Sequence, residues 1–478
     1  ARLVDGATIS GGKLHLPGPS SHLIAETITP PDLATLYHEA LRPQFHFTAR
    51  QWTRYKLNPG PHEEGWINDV NGLFYLDGEY HLFAQRWWSC WLHAVSRDLI
   101  HWEEMHPAFG KGGAMGGTQS GSAVVDERNT SGLATSKDNP VIVAFWSSTD
   151  NASQCISYSN DRGRTWTKYD KNPVLVHPER DPRVFRYEPA DKWVMILSAP
   201  KGAYDLFESR DLLHWTKLSS VRGFFECPDM FPLNVDGNAG KVKWVIIGGN
   251  GNYQVGDFDG TTFKGETPVT RSAGPDFYAT QTWNHIPPKD GRRIQLAWMR
   301  GGKYPDMPFN QQLTFPCDLT LRTCGGRVQL FRNPIAEIAR LHKNKTELKD
   351  KTLAAGEEVT LAAKGDLFHI VANLEMKPGA EAALRIRGQT VSVAPDKLWL
   401  PGYAVPLTPD AAGRMRLELL VDRTSIEAFA NGGEGSLARC FLPSGDAVAM
   451  KSVAGGLKIA SLEMWEIESI WNALPKAE

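Results

Sequence analysis

Three carboxylic acids keep unusual company in this chain. Asp69 lies in "WINDVNG", Asp181 in "ERDPRVF" and Glu226 in "FFECPDMF". Each has aromatic or turn-forming neighbours, whereas a solvated charge usually sits among other polar groups. Carboxyl groups gathered at one bond can share acid–base and nucleophilic work. One, ionised, attacks or stabilises positive charge; another, protonated, gives its proton to a leaving oxygen. The fold must therefore bring three remote segments to one point.

The pattern of elements suggests how. "GLFYLDGEYHLFAQ" reads as a hairpin, two apolar runs around Asp77-Gly78. "NPVIVAFWSSTD", "KWVMILSAP", "KVKWVIIGGN" and "RRIQLAWMRG" read as further strands, and "CDLTLRTC" alternates like a strand, which would hold Cys317 and Cys324 too far apart to bridge. Helical periodicity is confined to "PDLATLYHEAL" and "NPIAEIARLHK". Four segments share a polar turn with an Asp and then an aromatic: "SRDLIHWEEM", "SNDRGRTWTKY", "SRDLLHWTKL" and "VGDFDGTTFKG". Their spacing is that of four-stranded propeller blades. We therefore expect an all-β protein: an extension over 1–44, a five-bladed β-propeller over 45–335, a linker helix over 336–344 and a β-sandwich over 345–478. A propeller collects residues from the inner strand of every blade at one end of its channel, so the three acids can meet there.

Composition narrows the partners. The 52 basic and 54 acidic groups nearly cancel, which argues against nucleic acid or a membrane surface. No apolar run is long enough for a membrane-spanning helix. Six cysteines without a CxxC and scattered histidines give no metal-ligand spacing; no metal and no cofactor is expected, and His93 and His101 read as structural. Sixteen tryptophans suit both sheet cores and the faces of sugar rings. We expect an extracytoplasmic protein, although no signal-peptide pattern opens this chain.

"WINDVNG", "SGSAVVD", "RDPRVF", "ECPDMF", "GPDFYATQTW" and "LTFPCDLTL", in this order, resemble the motif set of glycoside hydrolase family 32, the family of invertases, levanases, inulinases and fructosyltransferases; "LELLVDRTSIEAFANGG" is similar to its C-terminal domain. The resemblance covers about residues 46 to 475. It implies a retaining hydrolase that releases fructose from sucrose or a fructan by double displacement, acting on chain ends. Asp69 would be the nucleophile and Glu226 the acid/base, in surroundings (Phe224, Phe225, Phe231) that favour the neutral acid. Asp181 would hold the fructosyl hydroxyls, with Arg180 beside it. Trp66, Asn68, Gln85, Trp91 and Ser122 would contact the sugar, with Ser120 in the same Ser-Gly-Ser stretch, and Gly72 would turn the chain into the first inner strand.

The chain departs from the family pattern in three places. Val70 follows Asp69 where the family usually has Pro, Gln119 stands where Phe is frequent, and "AQRWWSCWLHA" is shorter and more aromatic than the usual loop. These touch the substrate more than the reaction. A fructosyltransferase would use the same acids with a sugar acceptor, giving oligofructosides or a cyclic difructose. A different furanosidase on five blades, or a carbohydrate-binding propeller without catalysis, are the further alternatives.

Overall fold

The structure, a computed structural model, describes residues 37–50, 65–109, 115–137, 139–150, 152–271 and 273–473, with the backbone of a small hairpin, Thr8–Ser10 against Lys13–His15. From Val70 onward the regular structure is almost entirely antiparallel sheet. Five four-stranded blades follow one another. In the first, Val70–Leu76, Glu79–Arg86, Cys90–Ser96 and Glu103–Glu104 are neighbours in that order. The others open on Thr118–Asp126, Arg183–Tyr187, Asp229–Val235 and Phe277–Thr282. Each opening strand lies against the opening strand of the next blade, and the fifth returns to the first. These five strands ring a common axis. Asp77-Gly78 makes the expected hairpin turn, with φ of 49° and 85°.

Polar side chains lock the ring. Asn284 donates through Nδ2 to Ala123 O at 2.8 Å and Val184 O at 3.2 Å, while its backbone bonds Leu73 and Tyr75. One residue thus ties four blades. Arg183 and Asp229, from "RDPRVF" and "ECPDMF", form a buried ion pair at 2.7 Å. Arg183 also donates to Thr282 O and Asn284 Oδ1, and Asp229 Oδ2 accepts from Thr282 N. This buried pair specifies how three blades meet, and losing one partner would strand the other charge.

The repeated Asp–aromatic segments all occupy the turn between the third and fourth strands of their blades. In the first, Asp98 accepts from the backbone of Ile100 and His101 and meets His101 Nδ1 at 2.9 Å. Asp211 repeats this with Leu213 and His214. Asp161 serves Thr165, and Asp259 serves Thr261 and Thr262. A short acceptor that satisfies turn amides recurs because the same turn recurs. His93 instead meets His81 at 3.1 Å among Phe74 and Phe83. Burial, then the charges of Arg164 and Arg162, push His81 down to about 3, so both rings are neutral packing groups.

Beyond the fifth blade a short 3₁₀ helix, Ala336–Leu341, leads directly into His342–Leu353, the first strand of the sandwich. The sandwich therefore begins inside the span read as a linker. Of "PDLATLYHEAL", the residues from Tyr37 on form turns, and the rest lies outside the described residues. Two six-stranded sheets pack through an apolar core that includes Phe368, Ile370, Leu384, Leu417, Val448 and Ile459. Residues 37–50 run between propeller and sandwich: Tyr37, Phe45 and Phe47 share one core with Leu92, Phe315, Leu420, Phe429 and Trp471. At its centre His46 bonds Asp422 through Nδ1 at 2.9 Å and Glu427 through Nε2 at 3.0 Å. Cys317 and Cys324 stand at the two ends of one strand, and all six cysteines are free.

Candidate active site

The three acids stand at the N-terminal ends of three inner strands. Asp69 immediately precedes Val70–Leu76, Asp181 precedes Arg183–Tyr187 and Glu226 precedes Asp229–Val235. Because the inner strands all run the same way around the axis, these ends share one mouth. Carboxylate oxygens of Asp69 and Asp181 and the Cys227 sulfur lie within 4.8 Å of one another. The C-terminal ends of the same strands are lined by Glu127, Arg128, Arg186, Glu188 and His285. There the charges pair among themselves, Arg128 with Glu188 and Asp191, and His285 with Glu127. Chemistry is thus concentrated at the first mouth.

Backbone irregularity aims the side chains there. Strand register shifts between Asn71 and Phe74, between Thr118 and Gly121, and between Tyr278 and Gln281, and such bulges re-aim side chains next to active sites. Gly72 (φ 56°) sits in the first, where a Cβ would come within 2.9 Å of the Trp91 ring. Gly121 sits at the second, and a Cβ there would fall 1.8 Å from Phe145 O. Asp181, Glu226 and Cys227 have φ of 68°, 47° and 43°. Strained left-handed conformations of this kind persist where the surroundings over-determine them, and they cluster at functional sites.

Each acid has its own holders. Ser120 Oγ donates to Asp69 Oδ2 at 2.6 Å, and Gln85 N donates to Asp69 O at 2.8 Å. Asp181 N donates to Ser147 Oγ at 3.1 Å, and Asp181 Oδ2 accepts from Cys227 N at 3.0 Å. Glu226 is ion-paired with Arg180 through Oε1 and accepts from Tyr278 OH at 2.5 Å through Oε2. Its main-chain carbonyl accepts from Tyr204 OH at 2.7 Å. The expected aromatic box around Glu226 is not what its carboxylate meets: Phe224 and Phe231 are buried in the blades and Phe225 is exposed. Burial raises Asp69, as does the charge of Glu226, while the Ser120 and Asn68 hydrogen bonds oppose this. Burial and the charge of Asp69 push Asp181 up to about 7. Acids crowded this closely cannot all ionise together.

The secondary residues divide. Asn68 Nδ2 donates to Gln85 Oε1 at 2.5 Å, and Trp66 Nε1 donates to Asn68 Oδ1 at 3.0 Å. Asn68 and Gln85 are each only 1% exposed, so they brace the Asp69 loop from behind, and the half-buried Trp66 offers the surface. Arg180 is partly exposed beside Glu226. Two expectations are corrected. Trp91 is fully buried against Phe83 and Phe109, with its N–H on Gln119 O at 2.9 Å; it supports the first bulge and has no face for a sugar. Ser122 is also fully buried, and its Oγ accepts from Val184 N at 2.9 Å, joining the second and third blades. Plain alternation would put Ser120 and Ser122 on one face; the register shift between Thr118 and Gly121 breaks it, so Ser120 reaches Asp69 while Ser122 points between blades. Tyr278 was not singled out in the sequence, although it stands in "GPDFYATQTW" near the start of the fifth inner strand, the same end at which the acids stand. Val70, in place of Pro, begins its strand and is buried in the core.

The chain matches the family model for the glycosyl hydrolases family 32 N-terminal domain over residues 61–334 and that for the family 32 C-terminal domain over 397–466. It is 35% identical to a levanase of Bacillus subtilis, over 92% of this chain and 72% of that protein. It is 30% identical to an extracellular exo-inulinase of Aspergillus ficuum, over 91% of this chain and 96% of that protein. Among solved structures, the exo-inulinase of Aspergillus awamori superposes with a TM-score of 0.78 at 28% identity, covering 91% of this chain and all of that one. A fructofuranosidase of Schwanniomyces occidentalis complexed with fructose superposes with a TM-score of 0.76 at 25% identity, over 91% of this chain and 99% of that one.

Proposed function

Because the chain belongs to glycosyl hydrolase family 32, we propose that it is a hydrolase of β-fructofuranosides such as sucrose, inulin or levan, releasing terminal fructose by double displacement. The observation that carries this is the meeting of Asp69, Asp181 and Glu226 at one mouth of the ring, each held by a different partner. Ser120 favours the carboxylate form of Asp69 and fixes one oxygen, leaving the other to attack. An Asp69 oxygen bonds to the anomeric carbon as the bond from that carbon to the leaving oxygen breaks. The electron pair goes to the leaving oxygen, which takes a proton from Glu226. Glu226 then removes a proton from water, whose oxygen displaces Asp69 and regenerates both groups.

Asp181 makes no bond in this scheme. Its carboxyl lies beside Asp69, where it can hold fructosyl hydroxyls and, when ionised, stabilise the oxocarbenium-like transition state. Arg180 and Tyr278 orient the proton donor. Acids gathered at one end of a ring suit a chain terminus, which is the support for exo-action.

The test is product analysis on sucrose, inulin and levan with the wild type and Asp69→Asn. Free fructose as the growing product, abolished in the variant, supports the proposal. Mid-chain oligofructosides from inulin would exclude exo-action, and transfer products exceeding free fructose would exclude hydrolysis as the main reaction.

A further inference from the structure

We propose that Trp88 is the stacking platform for the sugar ring bonded to the fructosyl unit, and that it makes the enzyme selective for substrates that carry a second ring there. This rests on the reading of the site as a fructoside-cleaving centre.

The first observation is conformational. Arg86–Ser89 is a tight turn closed by Ser89 N donating to Arg86 O at 3.1 Å, and both central residues are left-handed, Trp87 at φ 50° and Trp88 at 55°. Turns with positive φ at both central positions are the province of Asn and Gly, and bulky aromatics are strained there. Two tryptophans in sequence at such a turn work against folding. Trp87 has a packing role, since its ring lies 4.3 Å from the Arg86 guanidinium. Trp88 is 53% exposed, so burial does not explain it.

The second observation is position. Thr118 N donates to Ser89 O at 3.4 Å, which fastens the turn to the strand whose Ser120 holds Asp69. The Trp88 ring lies 6.5 Å from that of Trp66, tilted by 59°. Trp66 in turn bonds Asn68, next to Asp69. Two indoles thus stand together at the rim on the nucleophile's side. The apolar C–H face of a sugar ring packs against an indole face without desolvating a charge, and tilted rings can hold it from two sides. A fructosyl unit bound over Asp69 leaves its neighbouring sugar as the part that reaches the rim.

The test compares wild type, Trp88→Ala, Trp88→Gly and Trp88→Phe on sucrose, an inulin-type trisaccharide and methyl β-D-fructofuranoside, which has no second ring. Glycine suits the left-handed backbone, so Trp88→Gly should fold at least as well as wild type, and its melting temperature should show it. The expected result is a KM for sucrose and the trisaccharide raised by about 5-fold or more in the Ala and Gly variants. That change should exceed the change on the methyl glycoside, and Phe should restore most of it. Equal changes on all three substrates, or none, would overturn the proposal while the wild type remained active. A wild type inert on all three would overturn the reading of the site and this proposal with it, and the two failures are distinguished by that control.

Discussion

Ser120 and Asp69 come from different blades, yet the hydroxyl of one donates to the carboxylate of the other at 2.6 Å. That bond stabilises the charged form of Asp69 against its burial. Replacing Ser120 by Ala removes a stabiliser of the anion, so the proton is held more tightly. The acid limb of the kcat/KM profile on sucrose should move to higher pH, with kcat/KM at its optimum reduced about 10-fold or more. A profile that kept its acid limb would show that this bond does not tune Asp69, the proposed nucleophile.

Tyr278 holds Glu226, the proposed proton donor. With Tyr278→Phe the 2.5 Å bond to Glu226 is lost and Arg180 alone holds the carboxyl. Proton donation should suffer by about 10-fold, more on sucrose than on p-nitrophenyl β-D-fructofuranoside, whose leaving group needs little protonation. Equal losses on both substrates would argue for general disorder of the site instead.

Asp181 sets activity against stability. Burial and the neighbouring Asp69 push it up to about 7, above its unfolded value. The folded state therefore binds the extra proton, and stability falls as pH rises from about 4 through 7. Asp181→Asn removes that titration. Its melting temperature should exceed that of wild type by about 3 °C or more at pH 7, and the gap should close toward pH 4, while activity falls by about 100-fold or more. Calorimetry across that range checks the sign.

His46 makes the opposite pH dependence. Burial works against its charge, but the hydrogen bonds and charges of Asp422 and Glu427 prevail and push it up to about 9. The stability it contributes is complete below pH 6.5 and is lost as pH climbs through 9. Its magnitude is roughly 3 kcal/mol. His46→Ala should destabilise the junction of propeller and sandwich by about 3 kcal/mol near pH 6, because Asp422, left with backbone amides, and Glu427, left with Arg332, both lose a charged partner. Denaturant midpoints at pH 6 and pH 9.5 should converge between variant and wild type.

Much of this was legible in the residues. The blade repeat could be read because each turn independently needs an acceptor at Asp98, Asp161, Asp211 and Asp259, a purely local requirement. The acids could be read because a carboxylate among aromatics and glycines has no solvation to recommend it. Even the alternation of "CDLTLRTC" stood in the structure as a single strand.

What the sequence could not determine is which way neighbouring polar side chains face. Ser120 and Ser122 are equivalent on paper, and the bulge between Thr118 and Gly121 sends one to Asp69 and the other between blades. Trp91 and Trp88 are likewise two aromatics in one segment, one buried under the site and one held at its rim by a strained turn. Nor could the ion pair of Arg183 with Asp229, or the linkage of His46 to Asp422 and Glu427, be read along the chain. Local sequence carries periodicity and turn chemistry. The direction of a side chain, and the charge it meets across hundreds of residues, are decided only when the ring of blades closes and the sandwich packs against it.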